Sequence, residues 1–189
     1  LKNDVDKTPN KVFVHGFLTV NGEKMSKSKG TFIKERTYLE HLNPMHLRYY
    51  YACKLRGLDD IDLNFEDFVS RVNSDLVGKI TNLGSRGAQM LNKKIDGKMG
   101  VLSEEGKDLV SKAQAKSEVI GNLIEELNFA KAMTEIRDIA DMTNRYFDEK
   151  APWKLIKEDV EATREVLTTV LNIFRTLAIY LKPILPEYT

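Results

Sequence analysis

NFEDFVSRVNSDLVGKITNLGSRGAQMLN, residues 64–92, is the stretch from which the fold follows. Asn64 is suited to cap a helix, and Glu66 and Asp67 fall in its first turn, where negative charge complements the helix dipole. Behind them Phe65, Val69, Val72, Leu76, Ile80, Leu83, Gly87 and Leu91 recur at intervals of three and four. That period describes one apolar stripe on a helix that must bury it against other helices. The tract Lys93 to Gly100 ends the run. Asn82 and Arg86, four residues apart, share one face at the border of the stripe. From spacing alone the pair is either a polar helix flank or a reader of unstacked base edges, for which an amide and a guanidinium are suitable groups.

The same period continues downstream. Ser103 with Glu104 and Glu105 opens a helix that reads on to about Leu127. Asn128 is placed to cap the next, which carries Phe129, Ala132, Met133, Ile136, Ile139, Ala140, Tyr146 and Phe147 and stops at Pro152. A last helix spans about Val160 to Leu181, with Val166, Val170, Phe174, Leu177, Ala178 and Leu181 as its stripe, and Pro183 and Pro186 end it. Upstream, Pro44 opens a helix through Leu47, Tyr50, Tyr51 and Leu55 that Gly57 closes. Short connections between such helices make an α-bundle.

Residues 1–36 read differently. Val12, Val14, Phe17, Leu18 and Val20 are β-formers, and Asn21-Gly22 is a hairpin-turn dipeptide. Too few apolar residues lie here for an independent core, so this segment is expected to be the edge of a larger domain lying upstream. After the turn comes Lys24-Met25-Ser26-Lys27-Ser28, set between Gly22 and Gly30. Two flexible point charges, two hydroxyls and exposed backbone N–H groups suit the grip of a polyphosphate, and a solvated basic loop is the alternative.

Composition limits the functions available. The chain has 189 residues, is 42% hydrophobic and 30% charged, and carries a net charge of +1, so a nucleic-acid partner would have to be met by a local surface. Its one cysteine, Cys53, excludes an internal disulfide and a cysteine-rich zinc site, fits a cytoplasmic location, and is read as a partly buried helix residue. His15, His41 and His46 lack metal-ligand spacing, so no metal site is expected, and no apolar run is long enough to cross a membrane. The only tryptophan, Trp153, follows Pro152 at a helix junction. There it either plugs the core or stacks on a flipped-out base.

Several of these stretches resemble one family. The lysine loop spells the KMSKS signature. Val14-His15-Gly16-Phe17-Leu18-Thr19-Val20-Asn21-Gly22 before it and Gly30-Thr31-Phe32-Ile33 after it look like class I methionyl-tRNA synthetases of the bacterial long type. Leu47-Arg48-Tyr49-Tyr50-Tyr51 and Asp59 to Asn64 resemble that family's stem-contact region. Asn82-Leu83-Gly84-Ser85-Arg86 resembles its anticodon-binding helix, and Asn144-Arg145-Tyr146 followed by Ala151-Pro152-Trp153 resembles its tryptophan segment. The resemblance covers nearly the whole chain, with its motifs in the expected order. Gly78 departs from it, because the family often has an asparagine one turn before Asn82.

The resemblance implies a mainly α fold: a helical anticodon-binding bundle preceded by a short strand and loop remnant of a Rossmann-type catalytic domain. The divisions would be 1–36 for the end of the catalytic domain, 37–64 for the stem-contact connector and 65–189 for the helical domain. It implies methionine activation by ATP with Mg2+, then transfer to tRNA(Met). Lys27, assisted by Lys24, would act in the adenylation step, and Lys24, Met25, Ser26, Lys27 and Ser28 would hold ATP. Asn82, Arg86, Pro152 and Trp153 would meet the anticodon, and Arg48, Lys54 and Arg56 the inner side of the tRNA. The family's HIGH signature, methionine pocket and zinc-binding insertion are not among these residues, so zinc is expected only upstream and the isolated chain is expected to bind RNA without aminoacylating it. A homodimer through a further C-terminal domain is an open expectation. The rivals are a related class I synthetase, for isoleucine, leucine, valine or cysteine, and a helical interaction module with no RNA role.

Overall fold

Residues 12–28 and 30–189 are described by a computed structural model. A small sheet lies at the N-terminal end. β1 (Leu18–Val20) pairs antiparallel with β2 (Glu23–Lys24) and parallel with β3 (Ile61–Leu63), in the order β2-β1-β3. The hairpin turn is at Asn21-Gly22, where both residues have positive φ, 48° and 78°. That is the left-handed pair a tight hairpin requires, and asparagine and glycine tolerate it. β3 falls in the Asp59 to Asn64 stretch that resembles the stem-contact region, where no strand is expected. Asp62 in this strand and Asp60 just before it accept hydrogen bonds from β1 and the residues flanking it. Asp62 Oδ1 accepts from Thr19 Oγ1 at 2.7 Å and from the Gly22 amide at 2.8 Å, and Asp60 Oδ1 accepts from the Phe17 amide at 2.7 Å.

The helices are α1 (Glu35–His41), α2 (Pro44–Lys54), α3 (Phe65–Arg71), a π-helical segment (Val72–Thr81), α4 (Asn82–Lys94), α5 (Glu104–Gln114), α6 (Ser117–Glu125), α7 (Phe129–Lys150), α8 (Pro152–Leu155) and α9 (Val160–Leu181). Cap residues act as their chemistry dictates. Asn64 Oδ1 accepts from the Asp67 amide at 2.9 Å, Asn43 Oδ1 from Met45 at 2.8 Å and Ser103 Oγ from Gly106 at 3.1 Å. Asn128 precedes α7, but its side chain makes no capping bond.

Residues 65–94 form one continuous rod, of which the middle ten residues are π-helical. The widening shows in the bonds that reach back five residues: the Asn82 amide to the Val77 carbonyl, and Thr81 Oγ1 to the Leu76 carbonyl at 2.9 Å. Contacts from α7 hold this segment. Asp75 pairs with Arg137 at 3.1 Å and Lys79 with Asp141 at 2.9 Å, while Asn144 Nδ2 donates to the Lys79 carbonyl at 3.0 Å.

The buried stripe runs through Phe68, Val72, Leu76, Ile80, Leu83, Gly87 and Leu91. Phe65 and Val69, expected on it, are 46% and 52% exposed. Helix α3 is turned by Phe68, which meets Tyr50 edge to face with ring centroids 5.5 Å apart, while the Tyr50 hydroxyl donates to the Asp62 carbonyl at 2.9 Å. Val20, Tyr50, Leu63, Phe68 and Val72 form a small core that joins the sheet to α2 and α3. The larger core lies between α2, the π segment, α4, α5, α7 and α9. Cys53, expected to be partly buried, is fully inside it, and burial pushes its thiol up to about 11.

Candidate nucleic-acid interface

Chemistry-bearing residues collect in two places. One is the end of the rod, where α4 meets the α7–α8 junction. Helix α7 stops because Ala151 adopts a left-handed conformation, φ 41° and ψ 59°, and Pro152 begins α8 at once with its fixed φ. The Lys154 amide closes the turn on the Ala151 carbonyl at 2.7 Å. Pro152 is buried, and the reversal brings Trp153 back against Phe147 with ring centroids 5.8 Å apart, while leaving it 42% exposed. Trp153 is therefore presented at the surface, not plugged into the core.

Arg86 reaches across from α4. Its guanidinium carbon lies 4.6 Å from the Phe147 ring centroid and 5.5 Å from that of Trp153. Those faces attract the cation, and Asp148 assists weakly at 3.7 Å. Asn82, one turn before Arg86 on the same face, is exposed and makes no side-chain hydrogen bond among the described residues. Gly84, between them, lets α4 sit on Phe174 of α9: a Cβ there would lie 2.6 Å from the ring. Arg86, Phe147 and Trp153 stand at one end of an open groove of about 660 Å³ whose walls also include Lys93, Lys94 and Lys157. These lysines are not evident in the sequence: nothing in the local pattern of Lys93 and Lys94 ties them to a tryptophan some sixty residues away, and Lys157, four residues after Trp153, reads as an ordinary solvated lysine.

The second place is the lysine loop. Lys24, Lys27 and Ser28 are exposed, and Met25 and Ser26 are half-buried. Thr31 is the loop's brace. Its hydroxyl accepts from the Ser26 amide at 2.9 Å and donates to the Lys24 carbonyl at 3.0 Å, and its amide donates to the Ser26 carbonyl at 3.2 Å. Met25 packs on the small core, so it anchors the loop. Ser26 Oγ and Ser28 Oγ are 3.0 Å apart, and Lys27 Nζ rests 5.3 Å from the Phe32 ring centroid. The loop thus holds two cations and two hydroxyls, of which Lys24 and Ser26 line a cavity of about 500 Å³.

Two of the three cations expected on the inner side of a tRNA are engaged within the protein. Arg48 donates to the carbonyls of Ile184 at 2.6 Å and Pro183 at 3.2 Å. Lys54 pairs with Asp67 at 2.6 Å. Burial pushes the Asp67 carboxyl up, but Lys54 and Arg71 outweigh it and hold the group below its usual range. Arg56 is exposed. Among the described residues no group of three His, Cys, Asp or Glu side chains could hold a metal, and no helix is long and apolar enough to cross a membrane.

Comparison with known proteins matches both halves of the chain. Residues 2–88 match the family described as tRNA synthetases class I (M), and residues 97–189 match the anticodon binding domain of methionyl tRNA ligase. A methionine–tRNA ligase of Bdellovibrio bacteriovorus is 65% identical over 184 residues, which are 97% of this chain and 27% of that protein. Among solved structures, Mycobacterium tuberculosis methionyl-tRNA synthetase in complex with methionyl-adenylate superposes with a TM-score of 0.85 at 29% identity, covering 96% of this chain and 37% of that one. A second structure of the same enzyme bound by methionyl-adenylate gives 0.82 at 28% identity, with the same coverage. The chain thus spans about a quarter of its curated relative and just over a third of the solved ones. With both family patterns in order along it and the fold shared throughout, the chain belongs to the methionyl-tRNA synthetase family.

Proposed function

We propose that this chain is the anticodon-reading part of a methionine–tRNA ligase and also supplies the lysine loop of its ATP site. The observation that carries the reading is the half-exposed Trp153 with the Arg86 guanidinium 5.5 Å from its ring centroid, at the edge of an open groove. In this reading one anticodon base stacks on Trp153, Pro152 fixes the ring's approach, and Asn82 and Arg86 hydrogen-bond to base edges. The divisions 1–36, 37–64 and 65–189 are functional ones. The first two share a sheet and the small core, so they act as one body beneath the bundle.

In the adenylation step negative charge grows on the departing pyrophosphate. Lys27 and Lys24, exposed on flexible stems, can follow that charge, and the Ser26 and Ser28 hydroxyls add donors. Met25 and Thr31 keep the loop on the core, so its lysines point outward without collapsing onto the sheet. The cavity lining supplies one ammonium, Lys24, one hydroxyl, Ser26, and one carboxylate, Glu23. Mg2+ would therefore ride on the phosphates, neutralising their charge, as is usual for that ion. Methionine and the 3′ end of tRNA(Met) would be handled outside these 189 residues, in a cytoplasmic enzyme.

The test is the affinity of the chain for a tRNA(Met) anticodon stem-loop with the CAU anticodon and for a single-base variant, at fixed salt. Base stacking on an aromatic side chain contributes about 1–3 kcal/mol, so Trp153→Ala is expected to weaken CAU binding roughly 5- to 150-fold. Equal binding of both loops by a folded chain would overturn the reading. ATP–pyrophosphate exchange by the pure chain would overturn its incompleteness as an enzyme.

A further inference from the structure

The π segment, Val72–Thr81, separates two anchored ends of one rod. Upstream, Phe68 of α3 is fixed on Tyr50, and downstream Gly84 seats α4 on Phe174. A π turn holds about one residue more than an α turn. Tightening one such turn therefore moves everything beyond it by about one residue, roughly 100° around the axis. Asn82 and Arg86 lie directly beyond the segment, and a swing of that size would carry them off the side where Arg86 meets Phe147 and Trp153. Apolar burial does not choose the winding, because Val72, Leu76 and Ile80, four apart, keep to one side in either.

Polar contacts from α7 do distinguish the windings, and the first of them is a costly one. Arg137 Nη1 meets Asp75 Oδ2 at 3.1 Å, with the two side chains only 26% and 15% exposed. Arg137 Nε is buried and has no partner among the described residues. The same holds for the hydroxyl of Tyr49 on α2, which feels the Arg137 charge. A desolvated ion pair beside unsatisfied donors is often no more stabilising than apolar side chains of like size, and the best-attested use of such pairs is to fix a register.

We propose that Arg137 is a positioning residue: by holding Asp75 it keeps the rod in its wide winding, and so keeps Asn82 and Arg86 aimed at the groove beside Trp153. The proposal rests on the anticodon reading above and deepens it. About 15 Å of helix α7 separates Arg137 from Phe147, so Arg137 shapes recognition without touching the base.

The test is the double variant Asp75→Leu with Arg137→Met, which removes both charges and leaves no ion unpaired; urea unfolding checks its fold. Scalar couplings across hydrogen bonds, measured by NMR, should show the acceptor of the Asn82 amide moving from the Val77 carbonyl to that of Gly78. Affinity for the CAU stem-loop should fall roughly fivefold or more, the worth of about one hydrogen bond to a base edge, while the single-base-variant loop keeps its affinity. Lys116→Met breaks another pair to α7, with Glu135 at 2.8 Å, and should leave the preference as in wild type. A folded double variant that keeps the Val77 acceptor or the wild-type preference would overturn the proposal. So would equal loss of both affinities, which marks the pair as structural. If the double variant does not fold, Asp75→Asn with Arg137→Met is read by the same couplings and the same ratio. If wild type shows no preference for CAU, the anticodon reading itself has failed. If wild type and the double variant both prefer CAU, only the register role has failed.

Discussion

Gly84→Ala and Gly121→Ala are the same chemical change on two helices, and the structure gives them opposite signs. In a helix interior alanine is favoured over glycine by about 0.8–1.0 kcal/mol. At Gly121 in α6 nothing lies within 4 Å of an added Cβ, so most of that gain should appear. At Gly84 the Cβ would lie 2.6 Å from Cε1 and Cζ of Phe174 and 2.8 Å from Cδ1. No real contact is that close, so α4 or the ring must move. Overpacking of this kind costs about 1–3 kcal/mol. The lower half of that range is expected here, because Phe174 is half-buried and also lines an open groove of about 380 Å³ into which it can tilt. Net of propensity, Gly84→Ala should be destabilised by about 0.5 kcal/mol and Gly121→Ala stabilised by about 0.9 kcal/mol. For a chain of this size each kcal/mol moves Tm by about 2–4 °C, so the two variants should separate by about 3–6 °C. Urea unfolding followed in parallel by far-UV circular dichroism and by Trp153 emission measures this, provided m is unchanged. Because Arg86 sits two residues further along α4, Gly84→Ala should also weaken anticodon stem-loop binding, whereas Gly121→Ala should not. Gly84→Ala at or above wild-type stability would refute the close α4–α9 packing on which the position of Arg86 depends.

Two further outcomes follow from strain and from burial. Ala151 is held at φ 41°, a region that costs an L-residue about 1–2 kcal/mol and glycine almost nothing; after glycine's larger unfolded-state entropy, Ala151→Gly should raise stability by about 0.5–1 kcal/mol in urea titrations, while the looser junction lowers affinity for the stem-loop. Burial raises the Cys53 thiol from 9.0 to about 11, so the folded state holds its proton where the unfolded state has lost it. Stability should therefore fall as pH rises from about 9 through 11, by an amount on the order of 2–3 kcal/mol. Cys53→Ala should flatten that part of the profile, and the native thiol should resist alkylation at neutral pH.

How much of this is legible in the sequence differs from element to element. Helix α9 is read almost to the residue because its apolar positions and the prolines after it agree. Asn21-Gly22 gives the hairpin for the same reason: only a few residue pairs tolerate two positive φ values. The π segment is not legible, because Val72, Leu76 and Ile80 lie four apart and both α and π windings keep that spacing on one side. Helix α1 buries none of its residues, so it leaves no periodic trace. The break between α5 and α6 falls at Ala115-Lys116, with no glycine or proline to signal it. β3 is hidden because its alternation, Asp60-Ile61-Asp62-Leu63, places aspartates where a strand usually carries neutral residues. At the site, Arg86 and Trp153 can be singled out by their types and spacing, but their meeting across Phe147 and the lysine wall beyond are products of tertiary structure.

The central claim is that Trp153 receives a base. Trp153 is the only tryptophan, so the protein's emission reports on that ring alone. The direct measurement is titration of the chain with the tRNA(Met) anticodon stem-loop, following tryptophan emission and, on the same samples, polarisation of labelled RNA. The account predicts saturable quenching with the same midpoint as the polarisation change, and a weaker midpoint for a loop altered at one anticodon base. Binding seen by polarisation with Trp153 emission unchanged would contradict it.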